Sequence, residues 1–520
     1  MKRVVITGLG VVAPNGVGVR EFRDALRQGR SGLRFEQRLA ELNFGCQVLG
    51  TPPSPENIGA DVLTPQQWRA TNSAMRFAAA AAVECWRDAG FDWHPGPDGP
   101  VDWHTAVYFG TGVGGVDSIA DKVGPLTLTG QTRRLGSSGA EQAMCSGVSA
   151  LVGGILGAGG QVCTNSSACA TGTEAIINGY RLIAHGYADR VLAGAAEGNQ
   201  IYAAACFDAM KVTARGWNGS PERASRPLSA TAAGFVPACG SGALLLESWE
   251  SAEHRHAKVY AEITGASFVC GGQRAGGSMT ASSPEGVRRC IAAAVRESGL
   301  HPDEIDYVNA HLTATGNDPR EVANLRCALQ LDGDRFPWIN ATKSMIGHAL
   351  GASGAIECVA TLLQMEGEFI HPLHELRRPS SGGGNGRSAH SPGVHRAGSA
   401  YRSKDQLRIW RRQRLRDFFK TQLKGQTMNN REEIRSQFLA LLAPFVDRRA
   451  DQPITESTSL LDDLNVNSAR FVDIILEAEE KFNISIDDTA ADRMRTVGDA
   501  IDVIMEKSEV QSRVQTAVRP

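Results

Sequence analysis

The stretch Asn165-Ser166-Ser167-Ala168-Cys169-Ala170-Thr171-Gly172-Thr173-Glu174 decides how this chain is read. Small residues crowd both sides of one cysteine, and a helix-like pattern follows in Ala175-Ile176-Ile177-Asn178-Gly179-Tyr180-Arg181-Leu182-Ile183. Cys169 is therefore expected at a tight strand-to-helix turn, where the helix dipole stabilises thiolate, the nucleophilic form. A free cysteine standing alone is more often a small buried hydrophobe, so the assignment depends on partners. Two lie far downstream: His311 in Val308-Asn309-Ala310-His311-Leu312-Thr313-Ala314-Thr315, and His348 in Lys343-Ser344-Met345-Ile346-Gly347-His348-Ala349-Leu350-Gly351. All three sit in loops rich in Gly, Ala, Ser and Thr, from which side chains reach a shared pocket and backbone amides approach a ligand closely.

Further stretches point the same way: Arg3-Val4-Val5-Ile6-Thr7-Gly8-Leu9-Gly10-Val11-Val12-Ala13-Pro14-Asn15-Gly16, Gly110-Thr111-Gly112-Val113-Gly114-Gly115 and Phe369-Ile370-His371-Pro372. Together, in this order, these motifs resemble the β-ketoacyl synthases of the thiolase superfamily; the glycines alone would equally suggest a dinucleotide fold. The resemblance implies an α/β thiolase-like layered fold (αβαβα) made of two similar βαβ halves, working as a homodimer. It implies that Cys169 takes an acyl group from an acyl carrier protein and that a malonyl carrier protein then loses carbon dioxide and condenses with it. His311 and His348 would bind the malonyl thioester carbonyl, and Lys343 would tune them through a polar network. Glu321 would orient Lys343 or a nearby loop, and Thr313 and Thr315 would hydrogen-bond the pantetheine arm. Two histidines place the chain with the elongating Cys-His-His group rather than with the Cys-His-Asn relatives that use coenzyme A primers. Three departures mark a divergent branch, of secondary-metabolite character: Leu312 follows the first histidine where the family has Gly, Ala238-Cys239 replaces Gly-Glu, and Arg226-Pro227-Leu228-Ser229 replaces Arg-Pro-Phe-Asp.

Composition agrees with an ordinary soluble protein of more than one domain: 520 residues, 42% hydrophobic, with a formal net charge of −2. The eleven cysteines are odd in number and form no CxxC pair, so a reducing cytoplasm is expected rather than a disulfide framework. Cys163 and Cys169 lack metal-like spacing with any histidine, so the sequence assigns no metal. Glycines interrupt the apolar opening run, which argues against a signal peptide, and no apolar run is long enough to span a bilayer. Residues 1–250 and 251–375 are read as the two ketosynthase halves. Strands are expected at 4–7, 105–110, 190–193, 241–246 and 307–309, and helices at 69–89 and 284–298.

Residues 376–427 break this pattern. They open with Arg377-Arg378-Pro379-Ser380-Ser381-Gly382-Gly383-Gly384 and carry thirteen Lys or Arg against two Asp. A basic linker is one reading, and a nucleic-acid patch another. The family's closing Gly-Phe-Gly-Gly loop is missing here, which suggests a third. Reverse-translated and moved one base along, Arg408 to Leu423 permits Gly-Phe-Gly-Gly-Ala-Asn-Ala-Cys-Val-Ile-Phe-Ser-Lys-Leu-Asn followed by a stop. Lys424-Gly425-Gln426-Thr427 before Met428 can encode a purine-rich ribosome-binding stretch. The segment thus reads as an out-of-frame junction between two neighbouring genes, a basic tract without function.

Residues 428–507 change character again, with seventeen acidic against nine basic side chains. Helical patterns at 432–445, 468–482 and 496–507 predict a small all-α bundle, followed by a tail at 508–520. Leu461-Asp462-Asp463-Leu464-Asn465-Val466-Asn467-Ser468-Ala469-Arg470 resembles the attachment site of acyl carrier proteins. That resemblance implies 4'-phosphopantetheine on Ser468, placed by a phosphopantetheinyl transferase. Ser468 would also suit simple helix capping. Asp473, Glu477, Glu479 and Glu480 would steer partners by charge. Against this condensing enzyme stand a ketosynthase-like interaction protein disabled by loss of the terminal loop, and a degradative thiolase, disfavoured because that group uses a second cysteine near its end.

Overall fold

The computed structural model describes residues 1–94, 99–136, 138–198, 201–274, 282–373, 431–442, 454–460 and, of 474–517, all but 476, 480, 483, 485, 487 and 492. Two compact units divide the chain, one within 1–410 and one within 411–520. The expected boundaries at 376 and 428, the basic junction and Ser468 lie outside the described residues, as do Asp473 and Glu480.

The first unit is built on a mixed sheet of seven described strands, in the order Gly16–Val17, Val4–Ala13, Gly240–Ser248, Arg190–Glu197, Thr105–Gly110, Val162–Cys163, with Ala261–Ile263 also on Val4–Ala13. Every residue of Val4–Ala13 and Gly240–Ser248 is buried. Strands covered on both faces read as continuous apolar runs rather than alternating ones. The helices Ser73–Asp88 and Ser146–Leu156 cover one face, with Phe77, Val83, Val107, Phe109, Val152 and Leu245 in one core. The helices Thr171–Ala184 and Ser353–Gly367 cover the other, through Ile177, Ile183, Val191, Leu246, Ile356 and Val359. On the far side of that helix pair lies a two-stranded parallel sheet, Tyr307–Asn309 with Trp338–Asn340. Asn309 Nδ2 donates to the Glu357 carbonyl at 3.1 Å and so ties this sheet to Ser353–Gly367. Outermost are Pro284–Ser298 and Asp318–Leu329, packed through Ile291, Val295, Leu325 and Leu329. Helix, sheet, helix, sheet, helix: this is the thiolase-like layering.

The two inner helices cross closely because glycine permits it. A methyl group on Gly172 would lie 2.7 Å from the Ala355 nitrogen. This crossing sets the N-terminus of Thr171–Ala184, and hence Cys169, beside the loop that carries His348. One predicted element divides: the helix expected over 69–89 is two helices, Pro65–Ala70 and Ser73–Asp88. Asn72 breaks it by capping the second, its side chain accepting from the Met75 amide at 3.0 Å.

In the second unit, Ile434, Phe438 and Leu442 of the helix Arg431–Leu442 meet Val497, Ile501 and Ile504 of Val497–Ala517 in one apolar core, joined by Leu460, Ile474 and Phe482. The expected helices at 432–445 and 496–507 are present over their described parts, and the last runs longer. Glu477 is exposed. Glu479 is half-buried, and its carboxylate accepts the Ile486 amide.

Candidate active site

Cys169 lies in a 3-10 turn, Ala168–Ala170, directly ahead of Thr171–Ala184. The turn is tightly tied. The Thr171 hydroxyl donates to the Ala168 carbonyl at 2.7 Å and accepts the Ser167 amide at 2.8 Å, and Asn165 Nδ2 donates to the Thr171 carbonyl at 2.9 Å. Ala168 takes a φ of 49°, a left-handed conformation that costs a non-glycine residue about 1–2 kcal/mol. Strain of this kind persists where the surroundings over-determine it.

The small parallel sheet supplies the other groups from the ends of its two strands. Tyr307–Asn309 leads into His311, and Trp338–Asn340 leads into Lys343 and His348. His348 is 3% exposed; its Nε2 lies 3.1 Å from Cys169 Sγ and its Nδ1 2.9 Å from Ser353 Oγ. The His311 ring stands edge-on to His348, centroids 5.2 Å apart, and Phe235 packs the same way on another side at 5.3 Å. The expected cysteine and both expected histidines are brought together.

The supporting residues divide differently from the expectation. Lys343 is 1% exposed and pairs with Glu357 at 2.6 Å, a carboxylate that carries no local motif and that the sequence reading missed. Among the described residues Glu321 bonds no lysine; its two oxygens accept the backbone amides of His311 at 2.7 Å and Leu312 at 2.9 Å. It holds the histidine loop, the second of the two roles expected of it. Asp318 was also missed: it accepts the amides of Thr313 and Ala314 on one side and of Leu228 on the other. The Thr313 and Thr315 hydroxyls lie 3.0 Å apart, both half-buried. Leu312, where the family has glycine, fills a small apolar cluster with Ala310 and Ala341 and is fully buried.

The electrostatics set burial against one expectation. Burial pushes the Cys169 thiol above its ordinary range, outweighing the Lys343 ammonium and the thiol's own backbone amide, which act the other way. Desolvation disfavours the charged form first, so burial works against the thiolate that a helix start favours. Burial holds His348 well below the usual imidazole range, aided by Lys343 and His311. His311 is lowered by the protein around it and then by Lys343, although its outer edge opens to solvent. Both rings are therefore neutral near pH 7.

Folding also brings the ligand-type atoms of Cys169, His311 and His348 within 4.8 Å of one another, a set that could hold a metal ion. Separation along the sequence was thus the wrong measure of metal-like spacing. The Lys343 charge, which already opposes protonation of both rings, opposes a dication there for the same reason.

Lys343→Met should leave Glu357 buried without its partner. The expected cost is about 3–5 kcal/mol in denaturant unfolding, because a lone buried charge is left behind. The same change should move the His311 titration, followed by NMR, upward. An unchanged titration would remove Lys343 from the electrostatics of the site.

Residues 1–252 match the model for the beta-ketoacyl synthase N-terminal domain, and residues 260–377 match that for the C-terminal domain. The chain is 35% identical over 397 residues to the 3-oxoacyl-[acyl-carrier-protein] synthase 1 of Escherichia coli (strain K12), covering 74% of this chain and 91% of that one. A beta-ketoacyl synthase crystal structure from Burkholderia phymatum STM815 superposes with a TM-score of 0.66 at 30% identity, covering 73% of this chain and 90% of that one. A complex of a type II PKS acyl-carrier protein with its ketosynthase gives 0.61 at 27%, with the same coverage. No helix among the described residues is long and apolar enough to cross a membrane. These matches span both halves of the thiolase-like unit that gathers Cys169, His311 and His348, and the chain belongs to the β-ketoacyl synthase family, the acyl-transferring condensing enzymes.

Proposed function

We propose that this protein joins an acyl group held on Cys169 to a malonyl unit delivered by an acyl carrier protein, in fatty acid or polyketide-type synthesis. The observation that carries the reading is the 3.1 Å approach of His348 Nε2 to Cys169 Sγ, with His311 beside it. In the first half-reaction Sγ attacks the acyl thioester carbonyl, the carrier thiolate leaves, and the thiol proton passes to the departing sulfur. In the second, a malonyl thioester loses carbon dioxide as its C–C bond breaks. The resulting enolate is held by Nε2–H donors of the two neutral histidines, and its carbon attacks the acyl-cysteine; the C–S bond breaks and the Sγ thiolate released takes a proton from water.

Ser353 explains how one imidazole serves both halves. A hydroxyl donates or accepts. When Ser353 accepts at Nδ1, Nε2 is a lone pair able to receive the thiol proton; when Ser353 donates, Nε2 carries the hydrogen that an enolate oxygen needs. Burial, aided by the charge of Lys343 paired with Glu357, keeps both rings uncharged. Thr313 and Thr315 are assigned to the pantetheine arm.

We further assign Ser468 as the attachment point of 4'-phosphopantetheine, added by a phosphopantetheinyl transferase, on a carrier encoded next to the synthase and joined to it by an out-of-frame 376–427. A homodimer would form along the strand Val162–Cys163, which ends the sheet among the described residues and where Val162 is 41% exposed; such an edge is a template for a second copy. The test incubates the protein with acyl-carrier and radiolabelled malonyl-carrier. A 3-oxoacyl-carrier and labelled carbon dioxide are expected. Absence of both, with no acyl group on Cys169, contradicts the reading and leaves the interaction protein.

A further inference from the structure

Glu197 ends the strand Arg190–Glu197, is 1% exposed, and takes no part in the reaction steps above. Its Oε1 accepts the backbone N–H of Gly112 and, at 3.2 Å, that of Gly351; its Oε2 lies 3.4 Å from the Thr111 hydroxyl. These donors belong to different loops. The Gly112 loop is fastened to the nucleophile turn: Thr111 donates its amide to the Asn165 carbonyl at 3.3 Å, and Ser166 Oγ donates to the Gly112 carbonyl at 3.2 Å. Gly351 lies two residues before Ser353, the hydroxyl that meets His348 Nδ1. One carboxylate is thus bonded on one side to the loop that braces Cys169 and on the other to the loop that aims His348.

A side chain at either contact would press on the carboxylate. A Cβ on Gly112 would stand 2.7 Å from Glu197 Oε1, and one on Gly351 2.5 Å from the same atom. Burying a carboxylate is costly unless it is well bonded. Burial raises the Glu197 pKa to about 7 despite the backbone amides that favour its ionised form. A group kept at that cost, between two loops that must hold reacting atoms in register, fits a geometric role.

We propose that Glu197 is a positioning residue that latches the Gly112 and Gly351 loops together and so sets the separation of Cys169 from His348. The inference rests on Cys169 being the acyl acceptor, but half of its test does not. Glu197 is also among the charges that oppose the Cys169 thiolate, alongside Glu357 and against Lys343. Glu197→Gln removes charge and puts an N–H where a second acceptor stood, whereas Glu197→Asp keeps the charge and shortens the reach. The test uses the full chain and two readouts: alkylation of Cys169 by iodoacetamide across pH, and acyl transfer to Cys169 from an acyl-carrier thioester. The alkylation midpoint should fall in E197Q and stay in E197D. Acyl transfer should slow by about tenfold or more in both, with KM within about twofold, since misplacing reacting groups by an ångström costs on the order of 10². Gly112→Ala, which pushes on the same carboxylate, covers the case of a variant that does not fold, and the E197D/G112A pair should be non-additive. If no chain, wild type included, accepts an acyl group while the midpoints shift as stated, the condensing role fails and Glu197 keeps its electrostatic link to Cys169. Wild-type transfer rates in E197D and G112A, or losses that simply multiply in the pair, overturn the latch.

Discussion

Cys169→Ala should abolish condensation, by at least about 10⁴-fold, while malonyl-carrier decarboxylation remains measurable. The two half-reactions use different groups. Transfer of the acyl chain needs a sulfur to form the thioester, and no other cysteine substitutes: Cys163, the nearest in sequence, lies in the edge strand, its Sγ donating to the Thr164 carbonyl at 3.8 Å. Loss of carbon dioxide needs only the two imidazole donors, which the alanine variant retains. His348 keeps its Ser353 bond and its packing against Phe235, neither of which involves the sulfur. The split is read by following labelled carbon dioxide and 3-oxoacyl product in the same reaction. Loss of both activities together would mean that the thiol also holds the malonyl group or the histidines. Retention of both would remove Cys169 from the chemistry.

The second large effect is expected from the DNA. Deleting or inserting one base so that codons 408–423 read Gly-Phe-Gly-Gly-Ala-Asn-Ala-Cys-Val-Ile-Phe-Ser-Lys-Leu-Asn should raise condensation by about 10²–10³-fold over the chain as written. The resemblance to β-ketoacyl synthases implies an oxyanion hole that pairs the Cys169 amide with an amide from that loop, and losing one such donor costs that much. His371, at the end of the described part of this unit, is already held in place: its amide donates to Gln364 Oε1 at 2.9 Å and its carbonyl accepts Asn340 Nδ2 at 2.8 Å. Nucleotide sequence across codons 370–430 that offers no frame restoring the loop refutes the junction. An equal rate in the repaired chain shows that the loop is not needed.

Much of this was legible in the sequence because it is local. Cys169, His311 and His348 each sit in short loops of small residues, and apolar runs alternating with helical patterns marked strands such as those at 4–7 and 105–110. The capping by Asn72 was also local and splits a helix that apolar periodicity alone had joined. What escaped was long-range. Glu357 lies on the interior helix Ser353–Gly367, and Glu197 lies at the end of a buried strand; only folding sets them against Lys343 and the glycine loops. The burial of Cys169 escaped for the same reason. A helix start is visible along the chain, but the desolvation that raises the thiol depends on everything packed around the turn.

The central claim is that Cys169 accepts the acyl chain beside His348. Intact-protein and peptide mass spectrometry after brief exposure to an acyl-carrier thioester tests it most directly. The account predicts one acyl group on the peptide containing Cys169, absent in Cys169→Ala and slowed in His348→Ala. An acyl group on any other residue, or none while 3-oxoacyl product still forms, would contradict it.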